Sequence, residues 1–91
     1  MAETARHIIF KGHVQGVGFR FTVLNAASRY RLTGYVRNLP DGAVEMLTQG
    51  QAADIDDCIS DIDESFAGYV KETIINDVPA DPKYTDFKIT F

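Results

Sequence analysis

The sequence holds one cysteine, Cys58, in 91 residues. A single thiol excludes an internal disulfide and any metal site built from several cysteines, and it suits a reducing compartment. Basic residues are scarce: 9 lysines and arginines stand against 13 aspartates and glutamates, for a formal net charge of −4. Such a chain lacks the broad basic face that nucleic acid or an anionic membrane surface requires, so any anion it holds is held locally. No apolar run is long enough to span a bilayer, and Met1 to Arg6 carries no charged-then-apolar leader, which points to the cytoplasm. No repeat, low-complexity segment or linker divides the chain, and its length suits one domain, residues 1–91, expected as a free-standing monomer. Motifs of common chemistry are absent too: there is no HExxH, no plausible Cys–His pair and no cluster of metal ligands. Neither metal nor cofactor is expected.

What the sequence does contain is Gly12-His13-Val14-Gln15-Gly16-Val17-Gly18-Phe19-Arg20, an apolar strand running through a glycine-broken loop into a helix. The first N–H groups of a helix carry roughly half a positive charge and ordinarily receive a Ser, Thr, Asp or Asn cap. From Gln15 to Phe19 there is no carboxylate or hydroxyl, and the first charge is the cation Arg20, the sign that this end of a helix disfavours. An anion resolves both problems. Gly16 and Gly18 can adopt positive φ and let the loop turn its N–H groups inward around a phosphate-sized ligand. The plainer reading is a glycine-rich connection with hydrated donors. The loop is no P-loop, since it lacks Gly-Lys-Ser/Thr, and Phe21 breaks the dinucleotide fingerprint counted from Gly16.

After a polar lead-in at Met1 to Thr4, Ile8, Phe10, Gly12 and Val14 alternate with Ile9, Lys11 and His13 as in a strand. Phe19, Val23, Ala26, Ala27 and Tyr30 lie on one side of a helix running to about Arg31. Thr33 to Leu39 reads as a strand, Asn38-Leu39-Pro40-Asp41-Gly42 as a turn, and Ala43 to Gln49 as the returning strand of a hairpin. Ala52, Ile55, Ile59, Ile62 and Phe66 mark a second helix from about Gln51 to Phe66, with Asp54, Asp57, Asp61 and Glu64 on a solvated back. Tyr69 to Ile75 is a further strand, Asn76 to Asp86 a loop, and Phe87, Ile89 and Phe91 a closing strand. His7 and His13 read as strand residues and Cys58 as a packed thiol, while Arg37 and Lys11 either add local positive potential or face water. The order predicts an α+β fold, a two-layer ferredoxin-like α/β sandwich: a mainly antiparallel sheet of four to five strands, with two helices on one face.

A helical crossover makes the first and second strands parallel, with the hairpin partner able to lie between them. Asn38 and the glycine loop then share one edge of the sheet, two strand spacings or roughly 9–10 Å apart. A phosphate in the loop can be approached by a water held on the Asn38 amide; read alone, without the loop, Asn38 is better taken as a strand-end residue capping its own turn. N–H groups, one arginine and one asparagine position and stabilise charge but supply no strong acid or base. The leaving group must therefore be easy, and a carboxylate, whose conjugate acid has a pKa of about 4, departs unprotonated. A mixed carboxylic–phosphoric anhydride fits. A non-catalytic binder of an anionic metabolite would use the same loop and Arg20 but has little need of Asn38; an RNA module is opposed by the acidic balance and the missing RNP pattern.

Gly12-x-Val14-Gln15-Gly16-Val17-Gly18-Phe19-Arg20 resembles the first signature of the acylphosphatase family. Gly34-Tyr35-Val36-Arg37-Asn38, followed by Gly42-x-Val44 and Gly50, resembles the second, and the likeness extends to the closing Phe-Lys-Ile-Thr-Phe. The resemblance implies a small metal-free hydrolase that takes an acyl phosphate and releases a carboxylate and inorganic phosphate. It assigns the catalytic arginine to Arg20, the catalytic asparagine to Asn38, and the phosphate cradle to the backbone of Gln15, Gly16, Val17, Gly18 and Phe19, together with Arg20.

Overall fold

Apolar alternation and β-branched residues place β1 at Thr4–Gly12, and Ile8 and Phe10 on it are fully buried. The computed structural model describes residues 3–91, so Met1 and Ala2 of the expected lead-in lie outside the described residues, while Thr4 already belongs to the strand. The chain continues through α1 (Phe19–Arg29), β2 (Thr33–Asn38), β3 (Val44–Gly50), α2 (Ala52–Ser65), β4 (Val70–Val78) and β5 (Phe87–Ile89). The strands form one sheet in the order β4-β1-β3-β2-β5. β3 pairs antiparallel with both β1 and β2, which makes those two parallel to each other, and the short β5 joins β2 in parallel. The expected two-layer ferredoxin-like sandwich is the fold observed.

The register sets the core. Ile8 lies opposite Met46, Phe10 opposite Val44, and Val36 opposite Met46, so these side chains share one face of the sheet. Phe19, Val23, Ala26 and Ala27 of α1 and Ile55, Cys58, Ile59 and Ile62 of α2 close over them in one cluster. Each of the larger buried side chains contributes about 1.5–3 kcal/mol to the folded state. Cys58 is the packed thiol expected, fully buried, and burial pushes its pKa up to about 12. The acidic back of α2 is not purely solvated: Asp61 accepts hydrogen bonds from Arg29 at 2.8 Å and from the Tyr30 hydroxyl at 2.6 Å, tying the helices together. Asp56 pairs with Arg6 on β1.

Several boundaries differ from the sequence reading by a residue or more, and three of them are instructive. β4 runs to Val78, through polar Asn76 and Asp77, because backbone pairing with His7, Arg6 and Ala5 outweighs their low strand preference; Pro79, which has no N–H, follows directly. Helix α1 stops at Arg29, since Tyr30 leaves helical geometry and Arg31 adopts φ 57°. β5 ends at Ile89, opposite Val36, although β2 continues to Asn38; Thr90 N–H donates a last bond to Val36 O at 2.9 Å, and Phe91 is almost wholly exposed.

The β4–β5 connection carries the chain from one edge of the sheet to the other. Buried Gln49 clasps it: the side-chain amide donates to Asp81 O at 2.8 Å and accepts from Asp81 N–H at 2.9 Å, as a neighbouring strand would.

Candidate active site

The end of β1, the start of α1, the β2–β3 turn and the start of β4 meet at one edge of the sheet. Between β1 and α1 the loop is held at both ends by the core, since Val14 and Phe19 are each 1% exposed. Gly18 is the helix N-cap in left-handed geometry, φ 79° and ψ 16°, with no side-chain cap and no acidic residue in the first turn. Gly16 has φ 77°, and a Cβ at either glycine would stand in open space. These two positions need glycine for the backbone turn and leave the approach to the loop clear. Among the described residues, the backbone N–H groups of Gln15 through Phe19 have no protein acceptor. The loop is a row of donors with nothing to donate to, at the positive end of a helix.

The side chain of Gln15 shows a contact that sequence reasoning missed. Its amide nitrogen donates to Leu39 O at 2.8 Å and Ala43 O at 2.9 Å, both in the β2–β3 turn directly after Asn38. One residue thus fixes the loop to the turn. Gln15→Ala removes both partly buried bonds and is expected to cost about 1–3 kcal/mol, read as a lower urea midpoint at unchanged slope.

Arg20 follows in the first turn of α1, with its guanidinium 5.4 Å from the centre of the Phe91 ring. Among the described residues it makes no ion pair, in contrast to Arg6, Arg29 and Arg37, each of which meets a carboxylate. Asn38 is the last residue of β2, opposite Val44, and its Oδ1 is buried and, among the described residues, has no hydrogen-bond partner. Arg37 beside it is neutralised by Glu45, which also holds His7 at 2.8 Å. Burial pushes the Glu45 carboxyl up, but the hydrogen bonds from His7 and Arg37 outweigh it, and the group lies below its ordinary value. Arg37 therefore brings little free positive potential to the site, and His7 is the strand residue expected. His13 is exposed, and its N–H donates to Tyr69 O at 2.9 Å across the bulge that ends the β1–β4 pairing.

The family model for acylphosphatase matches residues 6–89, which contain the loop, Arg20 and Asn38. The chain belongs to the acylphosphatase family. An acylphosphatase from Alcanivorax borkumensis is 36% identical over 91 residues, covering 96% of this chain and 99% of that one. One from Chlorobaculum tepidum is 52% identical over 62 residues, 68% of this chain and 67% of its own. Among solved structures, the acylphosphatase from Bacillus subtilis superposes with a TM-score of 0.89 at 29% identity, over 97% of this chain and 99% of that one. The acylphosphatase likeness thus spans every element that forms this edge of the sheet.

Among the described residues, no three His, Cys, Asp or Glu side chains converge as metal ligands, and no helix is long and apolar enough to cross a membrane.

Proposed function

We propose that the chain hydrolyses the carboxyl–phosphate bond of acyl phosphates without a metal ion, as one domain, with Asn38 orienting the attacking water and Arg20 and the Gln15–Phe19 backbone holding the phosphoryl group. The observation that carries this reading is the unpartnered, buried Oδ1 of Asn38. A desolvated acceptor needs a donor. The phosphoryl dianion of an acyl phosphate has only acceptors, so it cannot fill that role, whereas a water can donate one proton to Oδ1 and turn a lone pair toward phosphorus.

The remaining parts follow from charge. Phosphoryl transfer passes through a loose transition state whose charge is spread over the equatorial oxygens. Five backbone N–H groups and a guanidinium without a carboxylate partner meet that charge, preorganised because the loop is anchored by Val14, Phe19 and Gln15. As the bond from water oxygen to phosphorus forms, the P–O bond to the acyl group breaks, and the electron pair leaves on the carboxylate. The water's proton passes to a phosphoryl oxygen, since no side chain is placed to take it, and inorganic phosphate and carboxylate are released.

The test is phosphate release from an acyl phosphate in excess chelator, by the wild type and Asn38→Ala. Chelator-insensitive turnover in the wild type and a fall of about 10²-fold or more in the variant are expected, with inhibition by inorganic phosphate retained. Phosphate binding without turnover in the wild type would make the loop a receptor and end the hydrolase reading.

A further inference from the structure

We propose that the acyl group departs across Tyr69 and His13, and that Tyr69 makes the site selective for aromatic and other flat, apolar acyl groups. This rests on the reading above, in which Asn38 holds the water. Displacement at phosphorus is in line, so the leaving oxygen lies opposite the attacking one. Sheet order turns that rule into a direction. β2, which carries Asn38, stands on one side of the β1 loop, and β4 stands on the other. A group leaving opposite Asn38 leaves toward the start of β4.

Two rings stand there at the surface. Tyr69 is 45% exposed, and its ring lies 5.9 Å from that of His13 at a tilt of 53°. The tyrosine is not loose. Its ring meets Phe66 edge-on at 5.9 Å, Phe66 meets Phe19 at 4.8 Å, and Phe19 meets Phe10 at 5.0 Å. The exposed ring is therefore anchored through the core to Phe19, which opens α1 and ends the proposed phosphate cradle. A rigid aromatic surface gives contact area at little cost in conformational freedom, which suits recognition of a flat acyl group. Phe21 is also exposed, in the first turn of α1, and the exposed ring of Phe91 stands beyond β5 on the Asn38 side and lies over Arg20. It belongs with the phosphoryl group rather than the leaving group.

The experiment compares benzoyl phosphate with acetyl phosphate for the wild type, Tyr69→Ala, Tyr69→Phe and Phe91→Ala, with inorganic phosphate as inhibitor in each. Tyr69→Ala is expected to raise KM for benzoyl phosphate by about threefold to tenfold, the range of an aromatic contact. Its KM for acetyl phosphate and its inhibition by phosphate are expected to stay at wild-type values, which also reports a folded site. Tyr69→Phe keeps the ring and the wild-type ratio. Equal losses with both substrates, an unchanged ratio in Tyr69→Ala, or a ratio lost only in Phe91→Ala would each overturn the assignment. Absence of wild-type turnover with either substrate would be the failure of the hydrolase reading itself, visible before any variant is compared.

Discussion

Arg20→Ala is expected to lose nearly all turnover while leaving the protein folded. Removing one neutral oxyanion donor costs about 2.7–4 kcal/mol, or 10²–10³-fold in rate. This substitution deletes a full charge in a site whose other donors are backbone N–H groups, so the loss should exceed that range. The fold should barely register it. A cation in the first turn of α1 is disfavoured by about 0.3–1 kcal/mol, and its contact with Phe91 returns about 0.5–1 kcal/mol. The two nearly cancel, and alanine is the best helix former, so the unfolding midpoint should stay within a few degrees. The division of labour is read from inhibition: Arg20→Ala should lose inorganic phosphate as an inhibitor, and Asn38→Ala should keep it. Equal loss of phosphate binding in the two variants would contradict the separate roles.

Gly34→Ala is expected to be the most damaging single-methyl change in the molecule. Gly34 sits in β2 with φ +132°, and a Cβ there would lie 1.9 Å from Leu47 O and 2.8 Å from the Leu47 carbonyl carbon. Relief requires moving backbone, yet β2 is clamped on both sides: Gly34 stands opposite Thr48 of β3 and Phe87 of β5, and its N–H donates to Asp86 O at 2.9 Å. The cost should be about 4 kcal/mol or more, in a fold whose whole stability is about 5–15 kcal/mol. Asn38 lies four residues along the same strand, so activity should fall with the fold. The measurement is a urea unfolding curve on purified variant, and a midpoint equal to the wild type would refute the argument.

The glycine-broken loop was legible because it is local. An uncapped helix start, two glycines and a cation are adjacent letters, and the structure presents the same residues as exposed glycines on an anchored loop with unpaired N–H groups. Asn38 was legible through topology, since a helical crossover and a hairpin bring β1 and β2 to one edge with β3 between them. What stayed hidden depends on partners far along the chain. Gln15 read as loop backbone, but its side chain meets carbonyls 24 and 28 residues away. Glu45 read as the outer face of a strand, and it is the shared partner of His7 and Arg37. Asn76 and Asp77 look like a loop because intrinsic preference says so, and only the pairing of β4 with β1 makes them strand. Phe91 continued a convincing alternation, yet the pairing with β2 stops at Ile89 and leaves Phe91 almost wholly exposed.

The three-residue β5 shields more than its size suggests. It covers the outer edge of β2, the strand that ends in Asn38, and the connection leading to it is held by the Gln49 side chain acting on Asp81, by the Tyr84 ring against Tyr35 and by the Gly34 N–H bond to Asp86 O. A short edge strand on a long tether is the kind of element that opens locally while the rest of the domain stays closed. Each such opening would bare the backbone of β2 from Gly34 to Val36, a row of unpaired amides able to template addition of another chain. The Gln49 clasp therefore protects solubility as well as shape: it shortens the time for which the strand carrying Asn38 stands as a free edge.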